Sequence, residues 1–264
     1  ANGDPRVLPI YQSTTYRYDS SETLGDLFDL KAPGHMYTRI SNPTFAAVED
    51  KLASMEGGVG AMLTSSGQAA NLIAILNIAS AGDNFISLSE IYGGTINLFA
   101  VTLKRLGIEV RFASPSMSDA EIAAMINSKT RAVFGETIAN PALKVLDIER
   151  FAAIAHTVGI PLIVDNTFAT PVLCRPFEFG ADIVVHSTTK YLDGHAVAVG
   201  GAIVDSGRFD WTASGKFPEL TEPDESYHGV VYTKDFGNAA YITKARVQLM
   251  RDLGSTPSPM NAFL

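Results

Sequence analysis

The stretch VVHSTTKYLDGH (184–195) closes a buried apolar run, Ala181 to Val185, with three hydroxyls and one lysine: Ser187, Thr188, Thr189 and Lys190. A lone lysine after a strand is ordinarily a solvated charge, but a solvated ammonium gives hydroxyls no reason to gather beside it. Hydroxyls next to a cation suit a phosphate, and an amine at a strand end is also a potential nucleophile. Asp165 ends a second apolar run, IPLIV. A carboxylate at the edge of a dry strand needs a donating or cationic partner, because burying it unpaired costs several kcal/mol. A helix cap or loop brace would account for it equally well. TSSGQAA (64–70) offers small residues at a helix start, where Ser66, Gly67 and Gln68 can bring N–H groups and the helix dipole to an anion. The same residues also make a good helix cap, and no Gly-Lys-Ser/Thr follows as in a mononucleotide loop. Tyr92 follows a further strand and is either a core residue or an aromatic platform.

These parts together describe a site for pyridoxal phosphate. That cofactor needs a lysine for its aldehyde, a carboxylate to keep its ring nitrogen protonated, and hydroxyls and amides for its phosphate. An aromatic covers its ring. Lys190, Asp165, the Ser/Thr/Gly set and Tyr92 supply each of these.

The elements that must carry them alternate along the chain. Apolar runs in GAMLT, DNFISL, IEVRFA, TRAVFGE, IPLIVD, ADIVVH and AVGGAIVD read as seven strands. Helical spacing marks TFAAVEDKLASM (44–55), the apolar stretch after Gly67, IERFAAIAHTVG (148–159, stopped by Gly159) and NAAYITKARVQLMRDLG (238–254, stopped by Gly254). This order predicts an α/β fold with a mostly parallel sheet between helices, and ligands at the carboxyl ends of its strands. Residues 1–43 hold no long periodic segment and read as an extended arm. Residues 44–257 form the main domain, with an irregular insertion over 210–237 that is too long for an idle connection. STPSPMNAFL at the end has the texture of a linker, so 258–264 reads as the start of a further, C-terminal domain that is missing.

Composition narrows the class. A net charge of −8 without a Lys/Arg cluster argues against nucleic acid, and no apolar run approaches a membrane span or a signal peptide. The single cysteine, Cys174, forbids an internal disulfide, fits a reducing, cytoplasmic compartment, and reads as a structural thiol. The five histidines show no metal-ligand spacing, so no metal is expected.

YTRISNPT (37–44), SSGQAA (65–70), YGGT (92–95), ETIANP (136–141), VDNTFATP (164–171) and HSTTKYLDGH (186–195) occur in order along the chain. In these motifs the sequence resembles the cysteine/methionine-metabolism family of fold-type I pyridoxal-phosphate enzymes. The resemblance implies that Lys190 forms the Schiff base and later moves protons, that Asp165 pairs with the ring nitrogen, and that Tyr92 stacks on the ring. It implies Asn140 near the ring hydroxyl, and Ser66, Gly67, Gln68, Ser187 and Thr189 around the phosphate. Tyr37 and Arg39 would reach the phosphate of a neighbouring subunit, making a homodimer the minimal active unit and a homotetramer the expected assembly. Gly94, where methionine γ-lyases of the family carry a cysteine, and the 210–237 insertion look most like O-acetylhomoserine sulfhydrylases. The implied reaction joins O-acetylhomoserine and sulfide into homocysteine and acetate for methionine biosynthesis. Lyase or cystathionine-forming chemistry, or a non-catalytic cofactor-binding fragment, are the alternatives.

Overall fold

The computed structural model describes residues 5–264. Helix α1 (Ser21–Phe28) lies in the arm, where the sequence shows no long periodic segment. It forms because Ser20 caps it, accepting the Thr23 N–H at 3.1 Å. The arm packs on the start of helix α2 (Pro43–Glu56): Thr44 Oγ1 accepts the Tyr11 N–H, and Asn42 Nδ2 donates to the Tyr11 carbonyl. Asn42 also caps α2, with proline at its first turn, and Gly57 at φ 81° ends it. The expected apolar face is the one buried, at Phe45 and Leu52.

Strand β1 (Gly60–Thr64), helix α3 (Gly67–Leu76), β2 (Asn84–Leu88) and α4 (Gly93–Asn97), which continues as a π-helix to Leu103, follow. Then come β3 (Glu109–Ala113), α5 (Asp119–Ala124), β4 (Thr130–Glu136), α6 (Ile148–Thr157), β5 (Leu162–Asp165), α7 (Thr170–Leu173), β6 (Ile183–His186) and β7 (Gly201–Asp205). The seven strands form one sheet in the order β1-β7-β6-β5-β4-β2-β3. All are parallel except β7, which runs antiparallel to both β1 and β6. The expectation of a mostly parallel seven-stranded sheet holds. Its strands other than the edge strand β3 are buried on both faces, as parallel sheets require, and edge-to-face contacts of Phe99 with Phe85 and Phe134, at 4.8 and 5.0 Å, tie α4's extension to the sheet.

The 210–237 segment is less irregular than its sequence suggests. It contains α8 (Pro218–Thr221) and α9 (Tyr232–Asp235) and buries Trp211, Phe217, Leu220, Tyr227 and Tyr232. Trp211 stacks on Tyr241 at 5.2 Å, and Tyr227 donates its hydroxyl hydrogen to the Phe28 carbonyl, so the segment clamps α1. The helix expected over 238–254 forms as α10 (Ala240–Lys244), a π-helical stretch to Met250 and α11 (Arg251–Leu253), and ends at Gly254 with φ 66°. Helix α12 (Pro259–Phe263) folds back towards α2. No helix among the described residues is long and apolar enough to cross a membrane.

Candidate active site

Strands β4, β5 and β6 run side by side and in register, so their carboxyl ends deliver Glu136, Asp165 and the 187–190 turn to one edge: Glu136 pairs with Asp165, and Asp165 with Val185. A cavity of about 240 Å³ opens there. It is lined by Ser66, Gly67, Gln68, Tyr92, Asn140, Asp165, Ser187, Thr189 and Lys190, which is every residue expected at the site except Tyr37 and Arg39. Those two lie on the arm and do not line the cavity. The Arg39 guanidinium covers the Tyr37 ring at 5.1 Å and donates to the Arg251 carbonyl.

Helix α3 begins at the cavity wall. The Ser66 hydroxyl caps it through the Ala69 N–H at 3.1 Å, leaving the first-turn N–H groups of Gly67 and Gln68 without an intrahelical acceptor. Gly67 is required by proximity: a Cβ there would meet Ser187 Cβ at 2.6 Å. The helix start and the lysine turn therefore share one wall of the cavity. Across it, Tyr92 caps α4 with its ring lying over Gly94, where any Cβ would stand 2.5 Å from Tyr92 Cε1. The Thr189 hydroxyl donates to the Gly200 carbonyl at 3.0 Å and accepts the Gly200 N–H at 3.1 Å. It already braces the loop, which leaves Ser187 as the freer hydroxyl.

Asp165 opens only into the cavity. Its Oδ1 accepts the N–H of Thr167 at 3.0 Å and the Thr167 hydroxyl hydrogen, while Thr167 Oγ1 accepts the Ser187 N–H at 2.8 Å. The donating partner expected of Asp165 is therefore Thr167. Burial raises the Asp165 pKa, opposed first by the Thr167 hydroxyl and amide and then by His186 and Asn71. Below the site, Glu56 accepts from Asn166 Nδ2 at 3.0 Å and lies 2.7 Å from His186 Nε2, with all three side chains fully buried. His186 ends β6, one residue before Ser187, and packs there against this polar partner. Burial also raises the Cys174 thiol, which fits an inert structural cysteine.

Asn71, Thr95 and Glu136 also line the cavity, and the sequence reading assigned none of them a role. Asn71 lies one turn beyond Gly67 on α3, and its buried Oδ1 has no partner among the described residues. An amide inside the apolar run AANLIAI was the signal available for it. Thr95 receives hydrogen bonds from Gln68 Nε2 and Asn71 Nδ2 at 3.2 and 3.3 Å, joining α3 to α4. Glu136 stands among the polar strand ends, and nothing in its sequence neighbours shows what it binds.

These groups fit pyridoxal phosphate. A buried carboxylate held only by neutral donors calls for a cation, which a protonated ring nitrogen provides. Lys190 offers an amine, Tyr92 an aromatic face, and the start of α3 with Ser187 an anion cup.

The family model for Cys/Met-metabolism PLP-dependent enzymes matches residues 2–264. The homocysteine/cysteine synthase of Kluyveromyces lactis is 47% identical over 263 residues, covering 99% of this chain and 59% of that protein. The O-acetyl-L-homoserine sulfhydrylase 1 of Thermus thermophilus is 48% identical, covering 98% of this chain and 62% of that protein. A Campylobacter jejuni structure, provisionally named an O-acetylhomoserine (thiol)-lyase and carrying N'-pyridoxyl-lysine-5'-monophosphate, superposes with a TM-score of 0.93 at 37% identity. It matches 97% of this chain, which covers 64% of that one. The chain thus spans about three fifths of the length of its curated relatives. With the strand-end cavity, the six ordered motifs and a family match along nearly its whole length, the chain belongs to the Cys/Met-metabolism family of pyridoxal-phosphate-dependent enzymes.

Proposed function

We propose that the protein to which this chain belongs makes homocysteine from O-acetylhomoserine and sulfide, releasing acetate, as a step of methionine biosynthesis. The observation that carries this reading is the convergence of Lys190, Asp165, Tyr92 and the start of α3 on one cavity. Its supports are relatives named homocysteine synthase and O-acetyl-L-homoserine sulfhydrylase at 46–48% identity.

Ser66, Gly67, Gln68, Ser187 and Thr189 would hold the cofactor's phosphate, Tyr92 and Asn140 its ring, and Asp165 its ring nitrogen. Bound there, the cofactor supplies an electron sink for ionising C–H bonds near the substrate amine. Lys190 removes a proton from Cα, and loss of a Cβ proton then lets the Cγ–O bond to acetate break. After sulfide forms the Cγ–S bond, protons return to Cβ and Cα, the latter from Lys190. As a base it must be neutral when the substrate is seated. Tyr37 and Arg39 would complete the phosphate site of a partner subunit in a dimer, two of which make a tetramer. Arg39 suits that task because a guanidinium can take two phosphate oxygens at once. We place the reaction in the cytoplasm, where a lone cysteine stays reduced.

Product analysis with O-acetylhomoserine and pyridoxal phosphate, with and without sulfide, tests the proposal. Homocysteine that depends on sulfide is the expected result. Sulfide-independent 2-oxobutyrate as the main product would replace the reading with a γ-lyase. Bound cofactor with neither product would leave a cofactor-binding unit without this activity.

A further inference from the structure

Glu136 ends β4 opposite Asp165, and its side chain is nearly out of solvent at 7% exposure. We propose that Glu136 is a positioning residue: its single carboxylate fixes the two loops that carry Tyr92 and Asn140 by accepting the main-chain N–H of both. Oε1 accepts from Tyr92 at 2.7 Å and Oε2 from Asn140 at 3.1 Å. Two convergent N–H donors require two acceptors and no donor, and an ionised carboxylate is the side chain with that character. The Tyr92 loop follows β2 and the Asn140 loop follows β4, so one group sets the spacing of the ring platform from the ring-facing amide. This inference rests on the cofactor reading above for what those two residues do.

The carboxylate is costly where it stands. Burial, and then the neighbouring Asp165 charge, push its pKa up to about 7, against the two N–H donors. Among the described residues, Glu136 lines both the cofactor cavity and a second hollow of about 130 Å³ beside it. The charged groups around it are Asp165 and Lys190 on the cofactor side, and Glu90, Lys144, Asp147 and Arg150 on the other. Lys144 is paired with Glu90 at 2.6 Å and Arg150 with Asp119 at 2.7 Å, so neither cation neutralises it. A neutral residue would be cheaper for the fold. The carboxylate is accounted for by the two loops it holds.

Glu136→Gln keeps the shape but turns one acceptor into a donor. At about pH 8.5, where Glu136 is ionised, the variant should bind pyridoxal phosphate about tenfold more weakly than wild type, the scale of one buried N–H left unpaired. At about pH 6, where the wild-type carboxyl is itself largely protonated, the two should agree within about twofold. The variant's thermal midpoint at the higher pH should be unchanged or raised, because a buried charge has been removed. A purely structural Glu136 would instead lower affinity and midpoint together at both pH values, and equal affinities throughout would equally overturn the proposal. If Glu136→Gln does not fold, amide exchange in the wild-type chain without cofactor decides. The Tyr92 and Asn140 N–H groups should lose protection together as pH falls through about 7, and independent behaviour would refute the clamp. A chain that binds no pyridoxal phosphate would sink the cofactor reading, while amide exchange would still test the clamp.

Discussion

Lys190 and Asp165 face the same cavity with different demands on their surroundings. The lysine is exposed at the end of its turn, whereas the aspartate faces the cavity and is held by Thr167. Lys190→Ala should lower turnover by more than about 10²-fold, the scale of a general base. Because the start of α3 and Ser187 are untouched, equilibrium dialysis should still detect retained, weakened binding of pyridoxal phosphate. Turnover near the wild-type rate would remove Lys190 from the proposed role. Asp165 was legible from its position after IPLIV, and so was its need for a donor. That the donor is a hydroxyl two residues on, which also accepts from Ser187, was not legible, because it depends on how two strand exits approach each other.

At the level of elements, the contact between α3 and the turn after β6 carries the anion cup. Gly67→Ala would drive a methyl group to within 2.6 Å of Ser187 Cβ and force the two apart. Overpacking of this kind costs about 1–3 kcal/mol. Urea unfolding should show that loss, and phosphate competition against pyridoxal phosphate should show a weaker cup. A stable variant with unchanged affinity would mean that the helix start does not hold the phosphate. The helices read from periodicity formed as expected because their apolar faces and caps are local. Helix α1 and the short helices of the 210–237 segment escaped that reading: α1 is short, and the segment is anchored by scattered aromatics such as Trp211 and Tyr227, whose partners lie far along the chain.

Across the whole molecule, buried carboxyls set the pH response. Glu136 and Asp205 have pKa values raised to about 7, in both cases chiefly by burial. The folded state therefore holds protons that the unfolded chain has released between roughly pH 4 and 7. Stability is greatest on the acid side of that window and falls as pH rises through about 7, by on the order of a few kcal/mol for the two groups together. His156, raised by its hydrogen bond to Asp182 at 2.8 Å, acts in the same direction, since its contribution is lost as it deprotonates. Chemical denaturation of the cofactor-free chain at about pH 6 and about pH 8.5 should find it more stable at the lower value. The opposite order would mean that these groups gain partners in solution. The proposed reach of Tyr37 and Arg39 into a partner subunit has its own test. Lys190→Ala and Arg39→Ala proteins, each poorly active alone, should recover part of their activity when mixed and reassembled, because one mixed site is then intact. No recovery in a demonstrated mixed dimer would confine each site to one chain.

The sequence by itself determined the alternation of strands and helices, the polar residues at the strand ends, and the chemistry that lysine, carboxylate, aromatic and small residues share. Each of these is a local property, set by periodicity, capping and residue type. The tertiary structure decided what those residues do to one another. The in-register ends of β4, β5 and β6 bury Glu136 beside Asp165, and burial first, then the neighbouring carboxylate, raises the pKa of Glu136. Strand β7 entered between β1 and β6 in the opposite direction, and α3 closed onto Ser187. Glu136 came to hold Tyr92 across 44 residues of chain. Hydrogen bonds and charge interactions depend on distance in space, and strand order, which sets that distance, has no local signature in the sequence.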